Sequence, residues 1–562
     1  MVERLLKVLH KEWSGLHEAA FLLAAFALGS QALALVRDRM LASRFGAGET
    51  LDVYYAAFRI PDLLYASIAS FVAVTVLVPF LVSKTGEDKH DPDARRFISD
   101  IFTVFSLGMF AIMAVAWFAI PMLAERVVPG FSEAAVEEYI LLARLLLLSP
   151  LFFGISNLFG SVTQVFRRFF VFAAGPVLYN LGIITGVIFF APVFGLRGIV
   201  YGVLIGAFLH AAIQIPFLVK QGLFPRWSFR VRWADVRRVV LLSFPRTIAL
   251  SASHFVTMIL VGIASTMEHG SIAVFTLAMN LQSIPLAIVG MSYSVAAFPT
   301  LSRLFSNGEI DTFLGHIATA TRHIVFWSMP AMVLFIVLRA QIVRTILGAG
   351  AFDWTATKLT AAALALFAIS VAAQSLVQLF VRGFYAMGDT KTPLKVNLAS
   401  SAMILLVAYG SLALYDAVPV VRYFIESLLR VSDIHGTRML ALPFAYSVGS
   451  IVNAMVLMWR FEHTVRGFLG EMRRTFLHSF TAAVAMGFVA YHGLQLFDDV
   501  FDIDTVFGVF MHGALSGILG VLAGVFLLSL MDSRELREVS ASLHRKFWKS
   551  KPIAAEQENI AP

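Results

Sequence analysis

The chain has 562 residues, 59% of them hydrophobic and 14% charged, with a mean hydropathy of +0.79. Soluble proteins average about 45–50% apolar and about 25% charged residues, so a string of soluble domains is excluded and an all-α polytopic membrane protein is expected. There is no cysteine, which excludes disulfides, thiol nucleophiles and Cys-ligated metals. The net charge of +8 reads as membrane topology before nucleic-acid binding, because Lys and Arg gather on the cytoplasmic side of membranes.

Residues 1–16 form a basic N-terminal segment carrying Arg4, Lys7 and Lys11. The first apolar run starts late, after Trp13, and lacks a small-residue cleavage site, so it reads as a span and not a signal peptide. Crossing the hydrocarbon core takes roughly 20 apolar residues. Fourteen runs meet this: 17–36, 53–83, 98–122, 136–165, 171–190, 197–219, 239–263, 271–300, 324–345, 357–385, 394–415, 439–459, 475–496 and 506–530. The connecting segments alternate in charge. One alternate set, including both termini, holds 29 of the 44 Lys and Arg, and the other holds eight. Both termini are therefore expected in the cytoplasm.

Three of those eight exceptions follow the first span: Arg37, Arg39 and Arg44. With Asp38, Asp52, Arg59 and Asp62 they form the main charged cluster. From Asp52 to Ser83 the second run has 32 residues, about 48 Å as a straight helix, so it must protrude, bend at Pro61 or line a wet cavity. Asp52, Arg59 and Asp62 are spaced for one helix face. Ionisable groups at membrane depth mark a substrate or ion path, and the planar guanidinium suits phosphate. The competing reading is an outer loop of solvated charges. Gly46-Ala47-Gly48 and Gly348-Ala349-Gly350 read as turns, with a hinge or substrate-approach role as the alternative.

The second and eighth spans end alike, at Pro79-Phe80-Leu81-Val82-Ser83-Lys84 and Pro299-Thr300-Leu301-Ser302-Arg303, followed by Gly86-Glu87 and Gly308-Glu309. The fourth and tenth share Gln164-Val165-Phe166-Arg167-Arg168 and Gln378-Leu379-Phe380-Val381-Arg382, before Pro176 and Pro393. The offsets, 220 and 214 residues, indicate a duplicated six-span unit. The expected organisation is an N-lobe at 17–219, a C-lobe at 239–459 and a further pair of spans at 475–530. Paired repeats of this kind enclose a central site, as in transporters.

Single charges inside spans have bland explanations beside functional ones. His254, with Arg246 two turns before it, suits proton relay or a hydrogen-bonded structural role. Arg144 suits snorkelling to the interface, and Asp389 near the eleventh span is a similar isolated charge. Asp498-Asp499-Val500-Phe501-Asp502 matches a DDxxD diphosphate–magnesium pattern, but no second acidic motif faces it, and a chance cluster is the preferred reading. Residues 533–551 read as a basic amphipathic helix with an apolar stripe of Leu536, Val539, Leu543 and Phe547, suited to the anionic inner leaflet, and 552–562 as a disordered tail. A second amphipathic stretch, Val421, Phe424, Leu428 and Leu429, lies in the long loop 416–438. GxxxxGK[ST], HExxH and GxSxG are absent from the sequence, so neither an ATPase, an enzyme nor a bound cofactor is expected.

The stretch Ser30…Arg37-Asp38…Arg44-Phe45-Gly46-Ala47-Gly48…Asp52…Phe58-Arg59-Ile60-Pro61-Asp62-Leu63-Leu64 resembles the N-terminal signature of the MurJ (MviN) lipid II flippase family, within the multidrug/oligosaccharidyl-lipid/polysaccharide flippase superfamily. Phe298-Pro299…Leu301-Ser302 and Gly383-Phe384-Tyr385-Ala386…Asp389-Thr390-Lys391-Thr392-Pro393 extend the resemblance over roughly residues 15–530. It implies two six-helix lobes related by pseudo-two-fold symmetry around a cationic cavity in a bacterial inner membrane. Lipid II, the undecaprenyl-linked peptidoglycan precursor, would cross by alternating access, driven by membrane potential or a cation (Na+ or H+). Expected partners are this precursor, membrane lipids and cell-wall synthesis machinery, with no nucleic acid.

By this resemblance Arg37, Arg59, Arg39, Arg44 and Ser30 contact substrate, Asp38, Asp52 and Asp62 hold arginines or shape gating, and Asp389 and His254 are candidates for ion coupling. Three family arginine positions are occupied here by Gln31, Tyr65 and Asn280, and 271–300 has no charged residue. Arg39, Arg44, Arg144 or Arg246 are candidate substitutes. The alternatives are another polyprenyl-linked glycan, a drug or metabolite exporter, or an envelope-assembly scaffold without transport.

Overall fold

A computed structural model of the chain describes residues 16–72, 77, 78, 80, 81, 92–464 and 468–548. Residues 1–15, the tail 552–562, most of the repeat motif around Ser83, Lys84 and Gly86-Glu87, and the Arg246 side chain lie outside this set. Every described element is a helix, as expected where hydrocarbon leaves no water to satisfy backbone polar groups.

Eleven helices are long and apolar enough to span a membrane, and the pair Trp354–Ala368 and Val371–Ala386, bent by 44°, makes a twelfth. These correspond to the third to fourteenth predicted runs, so the count of fourteen is not reached among the described residues. The ninth span was expected at 324–345. It is the helix Ile310–Val337, followed by a separate helix Arg339–Leu347.

The first predicted span is the helix Leu16–Phe45, which runs well past the predicted end at residue 36. Arg37, Asp38, Arg39 and Arg44 therefore stand on a helix and not in a loop. Nothing from Arg37 to Phe45 breaks a helix, and the first residue to do so is Gly46, at φ +65°. The second run is interrupted at Phe58, one turn before Pro61: Glu49–Ala57 gives way to Arg59–Ile68 and then to the 3-10 turn Ala69–Val72. Pro61 accounts for this break, because its ring nitrogen cannot donate to Ala57 O one turn back, and the ladder resumes with Asp62 N–H to Phe58 O at 2.8 Å.

The chain divides into two compact units. The first comprises residues 1–284, 342–367 and 388–456, the second 285–341, 368–387 and 457–562. Within the first, Phe169–Thr185 and Leu196–Ala212 pack closely enough that a Cβ on Gly182 would lie 2.4 Å from Gly206 Cα, and one on Gly202 2.6 Å from Gly186 Cα. Small residues at four-residue spacing allow this backbone approach. Phe169–Thr185 packs in turn along Leu16–Phe45, which brings its one internal amide, Asn180, beside Arg37.

The 416–438 segment is folded. Its helix Pro419–Leu429 buries Glu426, which accepts hydrogen bonds from Tyr415 (3.0 Å), Thr437 (2.7 Å) and Arg422 (2.9 Å). The predicted apolar stripe splits: Leu429 is buried, whereas Phe424 and Leu428 face outward.

In the second unit, Phe468–Phe497 packs against Val506–Leu530 and Ile310–Val337. The C-terminal helix is Arg534–Trp548. Its stripe was expected to lie on lipid, but Leu536 and Val539 pack against Phe326, Ala482 and Leu528; the side chains of Leu543 and Phe547 lie outside the described residues. An apolar stripe is satisfied by protein as well as by lipid, and here a neighbouring apolar surface is available.

Candidate functional site

Within the first unit, helices from the first, second, fifth and eighth predicted spans meet along a polar seam. At the end of the seam that carries Gly46, Asp52 is buried. Its Oδ2 accepts from the Gly270 amide at 2.6 Å and its Oδ1 from the Ala273 amide at 2.7 Å. These amides open the helix Ser271–Pro285, whose first N–H groups lack intrahelical partners. The carboxylate satisfies them and meets the positive end of the helix dipole. Asp52 was expected to hold an arginine. It caps a different helix, through the Gly270 and Ala273 amides.

The glycines at this end allow backbones to touch. Gly270 has φ +93°, and a Cβ there would lie 2.2 Å from Ala47 O. Gly350 has φ +56°, with Ser43 O at 2.3 Å from such a Cβ. The Ala351 amide donates to Ser43 O at 2.8 Å. The two Gly-Ala-Gly segments are thus turns that also serve close packing.

Arg39 donates from Nη1 to the carbonyls of Thr345 (2.7 Å) and Ile346 (3.1 Å), at the end of Arg339–Leu347, where a cation complements the dipole. Arg44 donates to Val187 O at 3.2 Å, beside the π-turn Gly186–Phe190. Both arginines are engaged with main-chain carbonyls in this state.

Asn280 lies ten residues after Gly270, about 15 Å further along a helix. Asp38 forms an ion pair with Arg37 (Nη2–Oδ1 2.7 Å; Nε–Oδ1 2.9 Å) and accepts from Asn280 Nδ2 on its other oxygen at 3.0 Å. Arg37 Nη1 donates to Asn180 Oδ1 at 3.1 Å. Asn180 Nδ2 donates to Ser30 Oγ at 3.1 Å and Ser30 O at 3.2 Å. Gln31 Nε2 reaches Ser283 Oγ at 3.3 Å, and Arg59 Nη2 reaches Thr276 Oγ1 at 3.3 Å. Arg59 is 9% exposed, and its Nε, like the Tyr55 hydroxyl, is buried without a hydrogen-bond partner. Leaving such groups unsatisfied is costly, so a polar partner reaching them would be stabilised.

Asp62 is half-buried beside Arg59. The three neutral replacements all bridge helices: Gln31 to Ser283, Asn280 to Asp38, and Tyr65, whose hydroxyl accepts from Asn157 Nδ2 at 3.2 Å. Asn180, Thr276, Tyr55 and Asn157 carry no charge to mark them in the sequence. Their signal was a polar group inside an apolar run.

The other candidates stand apart from these bonds. His254 is half-buried on Trp233–Ser265, within electrostatic range of Arg59. Asp389 Oδ1 accepts from the amides of Lys391 (2.9 Å) and Thr392 (3.0 Å), at the start of Lys391–Ala417. Burial works to raise its pKa, but the hydrogen bonds from Thr392 and Lys391 outweigh that and hold it below the usual range. Arg144 donates to Trp117 O at 3.0 Å and stacks 5.0 Å from the Trp117 ring centroid, in keeping with an interfacial residue. Asp502 Oδ1 accepts from the Asp504 amide at 2.9 Å. No group of three or more metal-ligating side chains occurs among the described residues.

A family model described as "Lipid II flippase MurJ" matches residues 41–510. A probable lipid II flippase MurJ of Rhizobium tropici is 29% identical over 414 residues, covering 70% of this chain and 76% of that protein. The lipid II flippase MurJ of Burkholderia cenocepacia is 25% identical over 389 residues, covering 68% and 75%. A solved lipid II flippase MurJ in an inward closed conformation superposes with a TM-score of 0.72 at 22% identity, over 92% of this chain and all of that one. An inward-facing multidrug resistance MATE family transporter gives 0.63 at 16%, over 78% and 96%. These last two likenesses show the fold.

Proposed function

Since the chain belongs to the MurJ lipid II flippase family, a family of transporters and not enzymes, we propose that it carries lipid II from the inner to the outer leaflet of a bacterial cytoplasmic membrane. The observation that supports this most is the pair of guanidinium groups, half-buried Arg37 held by Asp38 and buried Arg59 with an unpartnered Nε. A pyrophosphate offers the oxygens that such donors lack.

The distribution of Lys and Arg supports placing the Gly46 end outside. On that orientation the seam is an outer gate, closed in this state. The head group enters from the cytoplasm, and its phosphates bond to Arg59 and draw Arg37 from Asp38. Asn280 keeps one hydrogen bond on Asp38 during the exchange, which lessens the cost of separating a buried pair. Opening then requires Asp52 to release Gly270 and Ala273. Each hydrogen bond to a charged group contributes about 1.5–3 kcal/mol, small enough for substrate binding to shift the equilibrium between the two states. With no nucleotide-binding loop, the drive is assigned to membrane potential or a cation.

The neutral residues Gln31, Tyr65 and Asn280 favour one second reading: a related polyprenyl-linked glycan sharing the diphosphate but not the whole head group. Rescue of growth in cells depleted of their essential lipid II flippase tests the first reading. Rescue is expected. Normal insertion without rescue would favour the second.

A further inference from the structure

Outside the seam, the second unit holds a basic cavity of about 430 Å³, lined by Arg322, Arg474, Thr475, His478, Asp532, Arg534, Glu535 and Arg537. Four arginines there face two carboxylates. The floor is built firmly. Glu535 is buried and accepts from Thr475 Oγ1 at 2.7 Å and Ser533 Oγ at 2.9 Å, with Arg322 Nε 3.9 Å away. Burial works to raise its pKa, but the hydrogen bonds from Thr475 and Ser533 and the Arg322 charge outweigh that and hold it low. It stays ionised and orders the cationic floor.

The rim is less committed. Arg537 lies 3.4 Å from Asp532, and Arg534 is held by Glu538. Arg474 is exposed and has no acidic partner among the described residues.

Below Arg474, the same face of Phe468–Phe497 presents Leu477, Phe480, Val484 and Phe488, all strongly exposed. These residues follow at three- and four-residue steps and make one continuous stripe. A cationic pocket directly above an exposed apolar stripe matches a phosphate with an acyl chain attached. Basic pockets between spans take anionic lipid head groups by this chemistry. The pocket's C-terminal wall, 532–537, lies beyond the residues that the family model matches.

We propose that this pocket binds the phosphate of an anionic membrane lipid, whose acyl chain lies along Leu477, Phe480, Val484 and Phe488. It shares no residue with the Arg37 and Arg59 seam, so its failure would leave the transport reading untouched.

The test is native mass spectrometry of the full chain released from bilayers containing equal phosphatidylglycerol and phosphatidylcholine. Phosphatidylglycerol should be retained selectively. Arg474→Gln should reduce that retention about fivefold, from the roughly 1 kcal/mol that one basic residue contributes near a charged leaflet. Adding Arg537→Gln should reduce it further, and Arg473→Gln, on the neighbouring exposed arginine outside the lining, should reduce it less than Arg474→Gln does. Arg474 has no acidic partner among the described residues, so its variant should keep the wild-type melting temperature. Unchanged retention in the double variant would overturn the proposal. Inorganic phosphate stabilising the wild type and not the double variant, without lipid selectivity, would assign the pocket to a soluble phosphate and overturn the lipid assignment.

Discussion

Asp52 Oδ2 accepts the Gly270 amide at 2.6 Å, across 218 residues of sequence. This one carboxylate ties the second predicted span to the start of the eighth. Converting it to a neutral amide should loosen the seal without emptying the site. The chain has no cysteine, so a single Ser271→Cys reports accessibility cleanly. Asp52→Asn should raise its labelling rate by a membrane-impermeant thiol reagent about tenfold, for a loss near 1.4 kcal/mol, at the lower end of hydrogen bonds to charge. An unchanged rate would mean that Asp52 does not hold this end closed.

The glycines of the same end should differ in tolerance. Gly270→Ala combines φ +93° with a Cβ 2.2 Å from Ala47 O, whereas a Cβ on Gly48 meets nothing within 4 Å and Gly48 has an extended φ of −143°. Gly270→Ala should impair growth rescue and speed labelling at Ser271→Cys, and Gly48→Ala should do neither.

Arg37 and Asp38 should behave as a coupled pair. Removing one partner of a fully buried pair costs about 3–5 kcal/mol, mostly from the stranded charge, and the loss here is smaller because Arg37 is half-buried. Arg37→Ala should therefore lower the melting temperature more than the Arg37→Ala/Asp38→Ala double variant does. Additive losses would show that the 2.7 Å contact contributes no coupling.

Asn280 should tolerate loss better than charge of the wrong sign. Asn280→Ala leaves Asp38 its arginine, whereas Asn280→Asp sets two carboxylates side by side and should abolish rescue. Equal activity of the two variants would remove Asn280 from the account.

The Pro419–Leu429 helix should depend on pH through Glu426. Burial works to raise the Glu426 pKa, but hydrogen bonds from Thr437, Arg422 and Tyr415 hold it below its ordinary value of 4.5. A depressed carboxylate stabilises the fold above its unfolded pKa and loses that contribution as pH falls through the folded value. Hydrogen-exchange protection of 419–436, corrected for intrinsic rate, should be level from pH 7 to pH 5 and decline below 4.5. Glu426→Gln should lower protection at neutral pH and flatten the decline.

Hydropathy located most of the spans because lipid demands long apolar runs, but it misplaced the end of the first helix. From Arg37 to Phe45 the polarity rises while the helix continues, since only Gly46 stops it. The charged cluster was visible in sequence. Its pairing was not, because Asn280 meets Asp38 from 242 residues away and Asp52 bonds to main-chain amides that carry no side-chain signature. Amphipathic periodicity identified Arg534–Trp548 and Pro419–Leu429, but not what each face meets. Leu536 and Val539 of the first pack on protein. The second hides Glu426 and turns Phe424 and Leu428 outward.

The most direct measurement is translocation of fluorescent lipid II in proteoliposomes containing the purified chain, compared with Arg37→Glu and Arg59→Glu variants that retain the wild-type melting profile. The account predicts that the wild type moves lipid II across the bilayer and that either charge reversal stops it. Undiminished translocation by both variants would contradict it.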